Sequence, residues 1–267
     1  VQKPGLIASD VDGTLLDVTE QVSARTAAVV TRVTAAGTPF VLVSGRPPRW
    51  IPSVAEQAGL TGYAVCANGA VLYDIGADRV LSAYTLDPVT LHDVANALRE
   101  VLPGMAVATE RYNPNGTLDS FVAEHDYISP WGDADKLAKP RAEVLGHEAV
   151  KLLVRHDRMT SEEMAAVAIP VLRGSVNMTF STSRGLIEVS KLGVTKATGL
   201  AEAAKLFSVD VADVVAFGDM PNDIPMLEWA GHGVAMANGH PDVLAVADEI
   251  AAANSQDGVA QVLERWF

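Results

Sequence analysis

Short apolar runs, each ending on an acidic or hydroxyl-bearing loop and separated by stretches of helical period, constrain this chain more than any other feature. Leu6 to Ser9 is a run of strand length that ends at Asp10 and the breaker Gly13. A helical pattern follows from Thr19, a plausible N-cap, through Val22, Val29, Val33 and Ala36 to Gly37. Phe40 to Val43 is the next run and ends at Ser44-Gly45-Arg46; Pro47-Pro48 suits the first turn of a helix reaching about Gly59. Tyr63 to Ala67 makes a third strand. The rhythm returns near the C-terminus, where Val214 to Phe217 ends at Gly218-Asp219. Asn222 to Ala230 then reads as a short helix, Gly233 to Met236 as a strand and Gly258 to Trp266 as an amphipathic helix. This alternation predicts parallel β-α-β units and an α/β, Rossmann-like core whose open parallel sheet is covered on both faces.

Between the two halves the texture changes. Residues 84–188 offer a helix near Val89 to Val101, strands near Met105 to Thr109 and Val150 to Val154, and a helix near Ser161 to Val167. A hairpin from Asn177 to Val189 turns at Ser183-Arg184-Gly185. Strands without strict alternation predict an α+β domain inserted into the core, leaving residues 1–83 and 189–267 as one discontinuous domain. Pro130 to Gly146, charged and containing Pro and Gly, is expected to be a surface excursion of that insert.

Composition excludes several classes of function. Among 267 residues, 20 are basic and 33 acidic, a formal net charge of −13. A broad nucleic-acid surface needs clustered Lys and Arg, so a small anionic substrate is admissible only where cations gather locally. No apolar stretch has membrane-spanning length. The N-terminal residues lack the basic and then apolar pattern of an export signal, and Cys66, the single cysteine, sits among apolar neighbours; a cytoplasmic chain without disulfides is expected.

Asp10-Val11-Asp12-Gly13-Thr14 is the sharpest chemical signal, because ligands of open α/β sheets bind beyond the carboxyl ends of strands. A turn in which Asp and Gly serve only the backbone is the plain alternative. A calcium loop fails on spacing, since Leu15 and Gln21 stand where its Gly and bidentate Glu belong. A second acidic stretch, Gly218-Asp219-Met220-Pro221-Asn222-Asp223, also follows an apolar run and opens a helix. Like charges brought together need a cation, so Asp10, Asp219 and Asp223 imply an oxygen-ligated hard metal, naturally magnesium. For Asp223, a carboxylate facing a helix dipole is the alternative. Ser44, with the backbone N–H groups after it, suits an anion at a strand-to-helix junction, or with Gly45 is simply a turn. Lys196, beside the N-cap candidate Thr195, suits a phosphate as a point charge or is a solvated lysine. The six histidines show no zinc spacing.

Taken in order, Asp10-Val11-Asp12-Gly13-Thr14, Leu42-Val43-Ser44-Gly45-Arg46, Lys196 and Gly218 to Asp223 resemble the haloacid dehalogenase superfamily, and more narrowly its Cof-type phosphatases. Cys66-Ala67-Asn68-Gly69-Ala70 and Val234-Ala235-Met236-Ala237-Asn238 fit accessory motifs, and the insert matches the C2-type cap by position. The resemblance implies Asp10 as nucleophile and Asp12 as general acid and base, with Ser44 and Lys196 steadying the phosphoryl group. It implies magnesium held by the Asp10 side chain, the Asp12 carbonyl and Asp219, with Asp223 a ligand or a support behind them, and Asn222 near the phosphate or a metal-bound water. Gly45, Arg46 and Asn68 are candidates for substrate or phosphate contact. In the cap, Arg111, Tyr112, Asn113 and Arg184 are candidates for reaching a sugar, or else ordinary surface residues. The expected reaction is magnesium-dependent hydrolysis of a small phosphorylated metabolite, a sugar phosphate foremost. Transfer to a second sugar, as in a phosphomutase, is the nearest alternative. A phospho-aspartate switch is disfavoured by Asp12 and by the long insert, and a dinucleotide oxidoreductase by the missing third glycine after Gly231-His232-Gly233.

Overall fold

A computed structural model describes residues 3–111, 121–132 and 136–267. In chain order the N-terminal part contributes β1 (Leu6–Ser9), α1 (Ala24–Ala35), β2 (Phe40–Val43), α2 (Ile51–Ala58), β3 (Tyr63–Cys66), β4 (Val71–Asp74) and β5 (Arg79–Ala83). The middle contributes α3 (Pro88–Val101), β6 (Ala106–Arg111), β7 (Phe121–Ala123), β8 (Lys136–Ala138), α4 (Arg141–Val144), β9 (Ala149–Arg155), α5 (Ser161–Leu172), β10 (Val176–Thr179) and β11 (Leu186–Lys191). The C-terminal part adds α6 (Lys196–Phe207), β12 (Val214–Gly218), α7 (Ile224–Trp229), β13 (His232–Met236), α8 (Pro241–Val246), β14 (Glu249–Ala251) and α9 (Gly258–Leu263). The chain divides into two compact units, 1–82 with 195–267, and 83–194. A division at 188/189 would cut β11; the observed one falls after that strand, between Val194 and Thr195.

The first unit carries an eight-stranded sheet in the order β14-β13-β12-β1-β2-β3-β4-β5. β14 through β3 are mutually parallel, and β4 returns antiparallel to β3. β1 and β12 are neighbours at the centre, and from them the order runs outward in opposite directions, which is the topological switch point of an open α/β sheet. Both faces are covered, so the central strands β1, β2 and β12 are buried throughout. Leu6, Ala8, Val41, Val43, Val214 and Ala216 pack with Leu200, Ala203 and Met226 of α6 and α7, while α1 packs on α2 and α9.

The second unit is a six-stranded sheet, β10-β11-β9-β6-β7-β8, antiparallel except for β7 with β8. α3 packs on α5, and α5 on β10 and β11. Alternation along β9 places Leu152 and Val154 opposite Lys151 and Leu153, so one side of the strand carries charge. Lys151 Nζ donates to Glu188 Oε1 at 2.6 Å with both side chains buried, and Ser181 Oγ donates to Glu188 Oε2 at 2.7 Å.

Several local expectations are corrected. Thr19 does not cap α1: Asp17 Oδ1 accepts from the Thr19 N–H and hydroxyl, each at 2.7 Å, and from the Gln21 N–H. That turn uses the Thr19 hydroxyl as a donor, and Ser23 caps the helix by accepting from the Thr26 N–H. β4 and β5, which follow β3 with no helix between them, and β14, a strand of only three residues reached from β13 through α8, extend the sheet beyond the three plus two strands expected. The helix expected to end near Val167 continues to Leu172, carrying Pro170 in its last turn. The stretch Pro130 to Gly146 holds β8 and α4, and Val144 and Leu145 are buried, so it is part of the domain's structure rather than an excursion. No helix among the described residues is long and apolar enough to cross a membrane.

Candidate active site

The site forms where β1 and β12 end side by side. Asp10 follows β1, and its N–H donates to the Phe217 carbonyl of β12 at 2.9 Å, which ties the first acidic loop to the strand feeding the second. The loop then turns through Gly13, whose φ of +78° lies in the left-handed region that glycine tolerates. A Cβ there would stand 2.3 Å from Asp219 Oδ2, so any larger residue would drive the two loops apart. Thr14 Oγ1 donates to Asp219 Oδ1 at 3.1 Å and closes the link from the other side.

Lys196 opens α6 behind Thr195, whose side chain accepts from the Thr198 N–H as N-cap. The helix can begin so close to the turn after β3 because residue 69 is glycine: a Cβ on Gly69 would lie 1.9 Å from the Thr195 carbonyl oxygen. This places Lys196 Nζ, fully buried, 2.6 Å from Asp10 Oδ1 and 2.6 Å from Asp223 Oδ1. Asp223 Oδ2 accepts from the backbone N–H groups of Asp219 and Met220, each at 3.0 Å, so both of its oxygens are engaged. Asp10 Oδ2 and Asp219 Oδ2 accept no hydrogen bond among the described residues.

Charge in this cluster is unbalanced. Oxygens of Asp10, Asp219 and Asp223 lie within 4.8 Å of one another against one ammonium. Burial pushes the Asp10 carboxyl well above the ordinary range, Asp223 and Asp219 add to this, and Lys196 opposes it. Burial and then Asp223 push Asp219 up to about 7, against Lys196 and the Thr14 hydrogen bond. Burial works against the charge of Lys196, but Asp10 and Asp223 outweigh it and hold the ammonium charged. Hard carboxylate oxygens with surplus negative charge in a buried pocket fit a divalent cation of the magnesium or calcium kind. Asn222 supports that fit: its Nδ2 donates to Asn68 Oδ1 at 3.0 Å, while its Oδ1 is buried without a partner among the described residues. A buried orphan acceptor is uncommon, and a cation-bound water is a donor that would satisfy it.

The second strand ends in a hydrogen-bonded turn. Ser44, fully buried, has its N–H on the Val65 carbonyl and its own carbonyl on the Asn68 N–H, and Ser44 Oγ accepts from the Arg46 N–H at 3.0 Å. Gly45 lies within this turn. Arg46 reaches Asp12: Nε donates to Oδ2 at 2.8 Å and Nη2 to Oδ1 at 2.5 Å. Asn68 adopts φ +58° and turns its amide to Asn222.

The residues expected at the core site therefore gather at one sheet edge, on the loops and turns after β1, β2, β3 and β12 and on the first residue of α6. The cap candidates do not behave as a set. The Arg111 guanidinium donates to the Glu143 carbonyl within its own unit, Arg184 is exposed, and Tyr112 and Asn113 lie outside the described residues. Sequence reasoning gave no role to Thr14, Asn238 or Asn254. Asn238 Nδ2 donates to the Gly13 carbonyl and Asn254 Nδ2 to the Leu16 carbonyl, each at 2.9 Å, pinning the first loop from the far end of the sheet. Thr14 closes the first acidic motif and Asn238 the run after β13; Asn254 carried no sequence signal.

Comparison with known proteins agrees with this geometry. The family model for haloacid dehalogenase-like hydrolases matches residues 7–263. The 5-amino-6-(5-phospho-D-ribitylamino)uracil phosphatase YitU of Bacillus subtilis is 31% identical over 275 residues, covering 99% of this chain and 98% of the relative. A putative phosphatase of Haemophilus influenzae is 28% identical over 263 residues, covering 98% and 97%. Among solved structures, a haloacid dehalogenase-like hydrolase from B. subtilis superposes with a TM-score of 0.83 at 22% identity, covering 98% of this chain and 100% of that one.

Proposed function

Since this chain belongs to the haloacid dehalogenase-like hydrolases and to their Cof-type phosphatases, we propose that it hydrolyses small phosphorylated metabolites, sugar phosphates foremost, through a phosphoryl group carried on Asp10 with magnesium as the resident cation. One observation carries the reading: three buried carboxylates and a single buried lysine meet at the sheet's switch point, with one Asp10 oxygen held by that lysine and the other left open.

Asp10 attacks phosphorus through its open oxygen, the ester P–O bond breaks, and the leaving oxygen takes a proton from Asp12. Asp12, now a carboxylate, takes a proton from the water that attacks the aspartyl phosphate, and Asp10 departs as a free carboxylate with inorganic phosphate released. Lys196 and the Ser44 turn steady the charge of the phosphoryl oxygens, and Lys196 fixes the Asp10 rotamer throughout. Asp10, Asp219 and the Asp12 carbonyl, with Asp223 orienting the set from behind, would hold the magnesium ion, whose positive charge would let a phosphoryl dianion approach carboxylates. Asn222 Oδ1 is assigned to a water of that cation. The inserted unit is assigned the part of a cap, excluding bulk water while the acyl phosphate exists.

The substrate class rests on chemistry and kinship together. The YitU relative is named for a phosphorylated ribitylamino compound, and the net charge of this chain disfavours polymeric phosphates. The test is release of inorganic phosphate from a panel of phosphorylated sugars, polyols and nucleotides, with magnesium and under exhaustive chelation. Turnover of small phosphomonoesters that stops on chelation is expected. Undiminished turnover without divalent ions, or phosphoryl transfer to a second sugar without free phosphate, would overturn the reading.

A further inference from the structure

Asp12 and Arg46 form a contact that the reaction scheme leaves unexplained. The guanidinium meets the carboxylate as a two-pronged fork, Nε on Oδ2 at 2.8 Å and Nη2 on Oδ1 at 2.5 Å. No other hydrogen bond reaches the Asp12 carboxylate among the described residues. The partners are unequally fixed. Arg46 is anchored by its own backbone, N–H to Ser44 Oγ and carbonyl from the Ala67 N–H, and its side chain is only 19% exposed. Asp12 is 55% exposed and precedes Gly13, with its positive φ. The arginine is therefore the fixed half and the carboxylate the movable half.

A fork of this geometry fits two oxygens of a phosphoryl group as well as two of a carboxylate, and a dianion outbids a monoanion for it. The backbone N–H of Arg46 rests on the Ser44 hydroxyl, the group assigned above to the phosphoryl oxygens, and the guanidinium charge interacts with Asp10 as well. On the basis of the proposed phosphatase reading, we propose that Arg46 is a positioning residue that exchanges anions: it parks Asp12 while the site lacks substrate and releases it when a phosphoryl group takes its place on the guanidinium. The general acid and base then becomes free to swing toward the leaving oxygen only when a phosphoryl group is seated, which limits unproductive proton transfer in the empty site. The exchange is non-covalent, so each ion pair broken is replaced by another on the same nitrogens.

The experiment is a double-mutant cycle on inorganic phosphate binding to the magnesium-loaded protein, followed by calorimetry. Asp12→Asn in the otherwise native chain should tighten phosphate binding by about tenfold, because the competitor for the fork is gone. In an Arg46→Met background the same substitution should give less than about a twofold gain. Simple repulsion between Asp12 and phosphate predicts the reverse: without Arg46 to offset it, the gain would be as large or larger, and that result overturns the exchange. Arg46→Gln repeats the cycle where Arg46→Met unfolds, with thermal melts of all variants as the check. Ser44→Ala and Lys196→Met separate the two readings. Phosphate binding that both leave intact is binding elsewhere, and the phosphatase assignment and the exchange fall together. Binding that both weaken, combined with a gain surviving in Arg46→Met, removes the exchange alone.

Discussion

In the parallel sheet the strands beside the site are buried along their whole length, and the charge lies beyond their ends, at Asp10, Asp219, Asp223 and Lys196. In the antiparallel sheet the charge rides on the strands themselves, with Lys151 on β9 paired to Glu188 on β11. Both units bury a lysine 2.6 Å from a carboxylate. A strand covered on both faces has no position for a charged side chain, so the core confines its chemistry to loops, where neighbouring residues in sequence carry it. A strand in the inserted unit alternates faces and can bury a charge in mid-sheet, provided a partner sits on the next strand. The core cluster is also anion-rich, whereas Glu188 has both a lysine and a serine donor. The first arrangement asks for a further cation; the second is read as architecture.

That contrast orders the expected effects of mutation. Asp10→Asn should lower turnover by about 10⁴-fold or more in steady-state assays, with the fold retained, because it replaces the oxygen proposed to attack phosphorus and removes none of the packing. Breaking the other pair should act on stability: Lys151→Met takes the ammonium away from the buried Glu188 carboxylate and should cost about 3 to 5 kcal/mol in denaturant titrations, with Lys151→Met/Glu188→Leu recovering most of the loss. Asp223→Asn should separate the two kinds of burial, lowering activity by about 10- to 100-fold through misplacement of Asp219 and Lys196. The same substitution should leave the metal-free melting temperature unchanged or raised, since it relieves like-charge crowding. A large drop in melting temperature would show that the core cluster is structural after all.

A smaller effect follows from protons. Without the cation the folded chain holds Asp219 at about 7, against an ordinary 3.8. Between those values the folded state binds more protons than the unfolded state, so this group makes stability fall as pH rises through the interval. Thermal melts of chelated protein across that range should show the decline, and saturating magnesium should flatten it; a decline unchanged by magnesium would separate the carboxylates from the cation. Smallest of all, Arg25→Ala removes an exposed, solvent-screened pair with Glu264 and should leave the melting temperature indistinguishable from that of the native chain in the same melts.

The same contrast explains what was legible in the sequence. Asp10, Asp12, Asp219 and Asp223 stand in two short local runs, each behind an apolar strand, and the rule that ligands gather at strand ends places both runs on one edge. Lys196 was readable mainly through its order relative to those runs; its burial between two carboxylates depends on Gly69 permitting α6 to start against the turn after β3. Lys151, Glu188 and Ser181 are scattered along the chain, and only strand register joins them, so nothing local marks them. Asn254 was illegible for a related reason, since its bond to Leu16 spans almost the entire chain. Thr19 looked like a cap because Ser, Thr and Asp near a helix start compete for the same backbone donors, and Asp17 won.

The most direct test of the central claim is to mix the protein with a phosphomonoester that it turns over, quench in acid within one turnover, and map the phosphorylated peptide by mass spectrometry. The account predicts an adduct on the peptide carrying Asp10, absent from Asp10→Asn and absent when magnesium is withheld. Turnover at the full rate with no adduct at any quench time, or an adduct on another residue, would contradict it.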